Sequence, residues 1–482
     1  MEGSEVQGLK DSNGLKNEHR TSNVQHRILN VVIALLLNLF FFIPMLRLKN
    51  AYHIVVILLY VFTCILPLNA SAGEYDFEIP DTKDKPYHLG GNIETDYTIY
   101  SLNKDSAIYH QKFYNRSEGS SVDSYGITLQ LEADFKKDFA RLYVKTNTSM
   151  TQNYLGWDDG TELYEGVVSF EATPSFTFEA GKKVMKWGKG YAWNPAAFTS
   201  RPKDPDDPEA SLEGYSILSI DYIKSLSGRI KTIAFTPVII PVYNDFNSSF
   251  GEEDHLNYAG KLYFLAYDTD IDIMFLAGKS IDDKIRVDFS RNFTTNFELH
   301  GEAAFINNFE KKYIDSNGNL HIRQSDAASY LLGIRYLNRY DTTFIAEIYR
   351  NGTGFSEEEI SEYYDYIQKG YNAYQTTGAE NSLKKSLKYT KAYYSDKSFM
   401  KQYLYLKVTQ KEPFNILYFT PSINIIFNTE DKSYSLTPEL LYEPISNLEL
   451  KLKFSLFHGD FYSEFGEKPY DYKTACFIKY YF

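Results

Sequence analysis

Alternation of apolar and polar residues with a period of two recurs along almost the whole chain after residue 88. The clearest case is 448–456, Leu-Glu-Leu-Lys-Leu-Lys-Phe-Ser-Leu, and others are 127–135, 285–289 and 297–303. Successive side chains of a strand point to opposite faces, so each such segment has one greasy face and one wet face. About eighteen segments of roughly ten residues can be marked, the length of a tilted strand that crosses a bilayer. A membrane helix needs roughly 18 consecutive apolar residues, and nothing after residue 72 approaches that. The most apolar later stretch, 233–243, is interrupted by Thr236, Pro237 and Pro241.

The links between segments have a rhythm. Short ones fall at 136–137, 173–174, 227–228, 267–269, 291–293, 338–341, 410–413 and 443–446. Between them lie longer ones, at 101–123, 148–160, 185–214, 241–256, 307–327, 351–400 and 459–471, with two near 280 and 430 that stay short. The chain closes on Tyr-Lys-Thr-Ala-Cys-Phe-Ile-Lys-Tyr-Tyr-Phe, 472–482, with Tyr472, Thr474, Cys476, Ile478, Tyr480 and Phe482 on one face. A final strand ending in Phe resembles the closing strand of bacterial outer-membrane β-barrels. The resemblance implies recognition of the Phe482 strand by the barrel-insertion machinery. A soluble sandwich or β-helix would also alternate, but neither accounts for the terminal strand, the loop rhythm and a leader together. The expected fold is all-β: a transmembrane up-and-down antiparallel barrel of about 18 strands, spanning 88–482, with long extracellular loops.

The leader is legible too. An apolar run at 54–66 follows Arg47 and Lys49 and precedes Ala70-Ser71-Ala72. A basic segment, a short apolar core and a small-x-small site make a secretory signal peptide. Residues 1–72 are therefore read as a targeting region cut after Ala72, with translation starting at Met45, and 73–87 as a periplasmic segment. The earlier apolar run at 28–43 is then upstream sequence; an uncleaved anchor helix remains the other reading.

Cleavage removes six basic and four acidic residues from totals of 50 and 63, leaving 44 basic and 59 acidic groups. An acidic chain without a basic patch does not point to nucleic acid. Of two cysteines, Cys64 leaves with the signal and Cys476 stands alone, so an intrachain disulfide is excluded. Aromatics make up 16% of the chain, and tyrosine is well suited to membrane–water interfaces.

The polar parity of the strands should face the lumen. That face carries Glu132, Asp134, Arg141, Lys145, Glu179, Asp221, Asp272, Arg286, Asp288, Glu298, His300, Glu302, Arg335, Glu347, Lys407, Lys451, Lys453, Lys473 and Lys479. Unpaired buried charges cost several kcal/mol each, so such a wall calls for water and an aqueous pore. The lysines cluster in the last five strands, while Glu179, Asp221 and Asp272 lie half the circumference away. A transverse field across the pore is the expectation.

The most distinctive segment is 181–195, Gly-Lys-Lys-Val-Met-Lys-Trp-Gly-Lys-Gly-Tyr-Ala-Trp-Asn-Pro, followed by Arg-Pro-Lys-Asp-Pro-Asp-Asp-Pro-Glu at 201–209. A Gly-Lys strand leading through Trp187-Gly188, Gly190 and Trp193-Asn194-Pro195 into a long loop resembles the third-loop region of alginate-export-like, substrate-specific porins. The resemblance implies that 185–214 folds inward and narrows the lumen. Pro202, Pro205 and Pro208 prevent it from pairing as strand. Lys186, Lys189, Arg201, Lys203, Asp204, Asp206, Asp207 and Glu209 would then be constriction charges; a stiff surface loop is the plainer alternative. The same acidic cluster has oxygen ligands of the kind Ca²⁺ takes, without the turn such a site needs.

The link 351–400 predicts a partly helical lid, with Ser356 as N-cap and Glu359 completing a capping box, and a second helical piece near 379–389. The expected function is an outer-membrane channel for diffusion of small hydrophilic solutes, with outer-membrane lipid and those solutes as its partners. No cofactor, metal ligand or catalytic residue is nominated. A barrel for polysaccharide export or for a periplasmic partner is the second reading, resting on Tyr403 and Tyr405 facing inward. An outer-membrane hydrolase is the third, and the scattered histidines count against it.

Overall fold

Hydrogen-bonded neighbours run unbroken from the first strand to the eighteenth, and the eighteenth pairs back onto the first. The computed structural model describes residues 86–482 apart from positions 196, 245 and 280. The expected signal peptide and most of the 73–87 segment lie outside the described residues. In chain order the strands are β1 (Tyr87–Leu102), β2 (Ser121–Lys137), β3 (Ala140–Asn153), β4 (Gly156–Thr173), β5 (Phe176–Lys183) and β6 (Tyr215–Ser225). There follow β7 (Ile230–Val242), β8 (His255–Ala266), β9 (Thr269–Gly278), β10 (Ile281–Thr294), β11 (Phe297–Ile314) and β12 (Leu320–Leu337). The last are β13 (Thr342–Arg350), β14 (Gln402–Gln410), β15 (Phe419–Asn428), β16 (Tyr434–Ile445), β17 (Leu448–His458) and β18 (Tyr470–Tyr481). All pairings are antiparallel.

The final rung of closure belongs to Phe482. Its N–H donates to Gly91 O and the Gly91 N–H donates to Phe482 O, both at 3.0 Å. Side-chain parity does the rest. Ile127, Ile273, Leu332 and Ile478 stand exposed on the outer face, while Lys473 and Lys479 of the last strand reach inward to Asp206 and Glu94. Phe139, Phe176, Tyr267, Phe293, Tyr340 and Tyr418 are exposed at the short-link end, forming an aromatic rim where hydrocarbon meets water. No helix among the described residues is long and apolar enough to cross a membrane. A closed barrel with an apolar band satisfies its own backbone in hydrocarbon, and the chain is built as a transmembrane β-barrel.

Two expected loops are strand instead. Residues 148–160 belong mostly to β3 and β4, joined by 154–155 alone, where the Asn153 side chain accepts the Leu155 N–H at 2.7 Å. Residues 307–327 belong mostly to β11 and β12, joined by 315–319. Beyond the bilayer a strand needs no apolar face, so polar runs such as Ser149, Thr151, Gln152 and Asn153 pair as strand without showing alternation. At the other end, 291–293 lies within β10, and the link beginning at Gln410 runs over 411–418.

Among the described residues three α-helices lie in the long links. The β1–β2 link carries α1 (Ala107–Phe113), which the sequence did not announce. The β13–β14 link carries α2 (Glu357–Thr377), with the anticipated Ser356–Glu359 capping box, and α3 (Asn381–Tyr393). They pack on one another. Gln111 of α1 donates to Tyr363 Oη and Ser386 Oγ, and His110 stacks on Tyr371 with ring centroids 3.8 Å apart. Helices from links six strands apart in the ring thus pack together.

Side-chain facing gives a direct stability test. Leu332→Arg on the outer face should cost about 2–4 kcal/mol in lipid-vesicle unfolding, whereas Asn147→Arg on the inner face should cost well under half as much.

Candidate functional site

The loop 184–214 leaves β5, runs into the lumen and returns to β6, and its glycines explain how it seats. Gly188 has φ +103°, and a Cβ there would lie 3.0 Å from Glu302 Oε1. A Cβ at Gly190 would meet Trp193 O at 2.2 Å and the Leu331 side chain at 2.9 Å. Only glycine lets this backbone come so near the wall. Four consecutive amides then face two wall carboxylates. Glu302 Oε1 accepts from Lys189 N at 2.5 Å and Gly190 N at 2.6 Å. Glu347 accepts from Tyr191 N through Oε1 and from Ala192 N through Oε2, the latter at 2.9 Å. Glu347 is fully buried, Glu302 nearly so. His300 Nε2 sits 2.8 Å from Glu347 Oε1 and Nδ1 lies 3.5 Å from Glu298, so the imidazole holds the second carboxylate in place.

The turn is locked from within as well. Lys203 Nζ donates to Gly190 O (2.7 Å) and Tyr191 O (3.0 Å). Asn194 joins the two limbs, donating to Arg201 O (3.2 Å) and accepting from Lys203 N (3.0 Å), and a turn over Pro195 is closed by Ala197 N to Asn194 O (2.8 Å). Trp193 packs against Tyr349, Tyr403 and Tyr405 with centroids 5.0, 5.6 and 5.9 Å away, its indole N–H donating to Ser398 Oγ. Trp187 joins a second apolar cluster with Met185, Tyr215, Ile240 and Met274. Tyr403 and Tyr405 do face inward, but both rings are buried in this packing rather than presented to the lumen.

Charge is divided along the loop. Lys189 Nζ pairs with Asp272 on β9 at 3.2 Å. At the other end the Asp206 carboxylate lies 3.8 Å from Lys473 on β18, and its carbonyl accepts from Lys453 on β17 at 2.8 Å. Asp204 pairs with Lys397 (3.3 Å), and Lys407 reaches Tyr191 Oη (2.7 Å), which donates to Glu209 (3.0 Å). Arg201 pairs with Glu213 (2.9 Å) over the Tyr215 ring; Lys186 and Asp207 are exposed. Since β9 and β18 are nine strands apart in a ring of eighteen, a segment pinned to both crosses the diameter. Lys189 meets the acidic wall and Asp206 meets the lysine wall, so the loop answers part of the expected transverse field.

Other wall residues pair locally. Glu179 binds Lys183, with Ser169 and Ser219 nearby; Asp221 accepts from Thr236; Lys451 lies 3.7 Å from Glu449, and Lys479 lies 3.3 Å from Glu94. Arg286 and Asp288 are 3.5 Å apart and fully buried, with the guanidinium near the Phe198 and Trp187 rings. Arg335 faces inward opposite Glu298 and stays exposed. The lumen is therefore not wet throughout: a packed core fills part of it. A hydrophobic set spread over ten strands and the long links between them has no local period, which is why the sequence did not show it.

A second buried carboxylate site, in the 459–469 link, also went unannounced. Glu464 accepts from Tyr403 Oη and Asn428 Nδ2, both at 3.0 Å, while its own N–H donates to Asp431 (2.7 Å). Glu467 accepts the Ala107 N–H at the start of α1. The link thereby ties the lid to β14 and β15. Burial pushes the Glu464 carboxyl up from 4.5 to about 7, against the lowering pull of Lys468.

No family model matches the chain, and no curated protein matches it. Among solved structures it is similar to Pseudomonas aeruginosa OpdQ, at 10% identity and TM-score 0.48 over 83% of this chain and 99% of that one. It is similar to Pseudomonas aeruginosa OprD at 9% identity and TM-score 0.43, covering 82% and 95%. Wzi of Escherichia coli, an outer-membrane protein involved in group 1 capsule assembly and described as a carbohydrate-binding β-barrel, matches at 10% identity and TM-score 0.46, covering 80% and 83%.

Two outcomes follow. Replacing Glu302 and Glu347 together by Ala strands four amides, those of Gly190 and Ala192 buried, at about 1–3 kcal/mol for each buried one; hydrogen exchange at 189–192 should rise by orders of magnitude while the strands keep their protection. For Glu464, a folded pKa above the unfolded one means that stability is full below about pH 4.5 and is lost as pH rises to about 7. Exchange of 459–469, corrected for intrinsic rates, should therefore quicken from pH 5 to pH 8, and Glu464→Gln should flatten that dependence.

Proposed function

We propose that the chain is an outer-membrane channel through which small hydrophilic solutes diffuse, narrowed by the loop 184–214. The observation that carries this is the double tether: backbone amides on Glu302 and Glu347 at one end and Asp206 on Lys453 and Lys473 at the other. A segment held across a water-accessible barrel by buried carboxylates sets an upper size for what passes. A surface loop would have no such grip. The charged wall then tunes which solutes pass within that size. No cofactor enters, because diffusion down a gradient needs none.

Planar-bilayer recording of the refolded chain should show discrete conductance steps. The Glu302→Ala/Glu347→Ala protein should conduct at least twofold more and should admit larger sugars in liposome swelling. A folded barrel that conducts nothing, with or without the two substitutions, would remove the channel reading.

A further inference from the structure

The lumen is filled unevenly. One apolar cluster, including Trp193, Leu331, Tyr349, Tyr405 and Phe457, lies between lid and loop against β11 to β17. A second, including Trp187, Ile217, Ile240 and Leu276, covers the inner wall of β6 to β9. A third, Leu102, Phe113 and Val122, seals the outer ends of β1 and β2 beneath α1. Charged wall groups under this filling are dry: Arg286, Asp288 and Glu347 are all 0% exposed.

In the sector β2 to β5 the wall pairs keep water contact, as the neighbouring Glu94–Lys479 pair of β1 and β18 does at 26% and 25%. Glu132 and Lys145 pair at 2.9 Å with side chains 36% and 13% exposed, and Asp134 and Arg141 pair at 2.7 Å with 30% and 47% exposed. Glu179 and Lys183 also keep water contact, at 12% and 26%. Outward of these pairs an amide ladder crosses three strands, Asn92 to Gln130 at 3.4 Å and Gln130 to Asn147 at 3.3 Å. The link above β3 and β4 is only residues 154–155, too short to fold over the mouth.

We infer that solutes pass down the β2–β5 wall, and that the pairs Glu132–Lys145 and Asp134–Arg141 are its specificity-determining residues. The assignment rests on the channel reading and deepens it. Each cation of the two pairs is matched by a carboxylate, and beyond them Asn147, half-buried at the end of a ladder whose Asn92 and Gln130 are buried, adds a neutral amide. Such a lining suits an uncharged polyhydroxyl or zwitterionic solute and gives no strong preference for ions of either sign. Removing both carboxylates leaves Lys145 and Arg141 unmatched in water-accessible positions and makes the path attract anions.

The test uses thiol labelling in a Cys476→Ser background. Asn147→Cys lies on the proposed path, and Thr437→Cys lies on β16 at 0% exposure. A cationic methanethiosulfonate reagent added during bilayer recording should remove most of the current of the first protein and leave the second unchanged. Glu132→Gln/Asp134→Asn should shift the reversal potential in a salt gradient several-fold toward anions. Block at Thr437→Cys without block at Asn147→Cys, or an unmoved reversal potential, overturns the path while leaving the channel standing. Absence of current from all of these barrels removes the channel and the path together.

Discussion

Hydrocarbon offers no partner to a backbone amide, and that single deficit governs the molecule. A sheet in a bilayer must pair every strand on both sides, so the eighteenth strand returns to the first and Phe482 completes the ladder against Gly91. Once the sheet is closed, parity has only one solution. Leucine, isoleucine and phenylalanine go to lipid, and the opposite face carries charge into an enclosed space. The crowding of ionisable groups in that space is a consequence of closure, and the way the chain manages them is what distinguishes this barrel.

It manages them with its own backbone and with matched charge. Glu302 and Glu347 would be costly as bare buried carboxylates; four consecutive amides from 189–192 answer them. The same loop presents Lys189 to the acidic side and Asp206 to the lysine side, so one segment relieves both walls. Tethering and charge compensation are therefore one device. It leaves a packed half, where Trp193 and the inward tyrosines form a core, and a hydrated sector, where ion pairs remain exposed.

Much of this was legible in the residues. Period-two alternation in segments such as 448–456 marks strands because the pleat imposes it, the prolines of 202–208 mark a link that cannot pair as strand, and its inward course was implied by the resemblance of 181–195 to the third-loop region of substrate-specific porins. The capping box at Ser356 and Glu359 was equally plain. Where the alternation lapses, the reading stops. Residues 148–160 pair as strand outside the membrane, where no face has to be apolar, and α1 occupies a link with no helical period. The lock at Glu464 joins groups up to 61 residues apart, and no local pattern encodes that.

By itself, the sequence determined that a barrel forms and which side chains face lipid, because these depend on neighbours one or two residues away. Only the tertiary structure decided which carboxylate meets which amide, which part of the lumen is dry and where ion pairs keep water contact. Those contacts join strands on opposite sides of a closed ring. Their partners are set by the ring's geometry, and distance along the chain carries no trace of it.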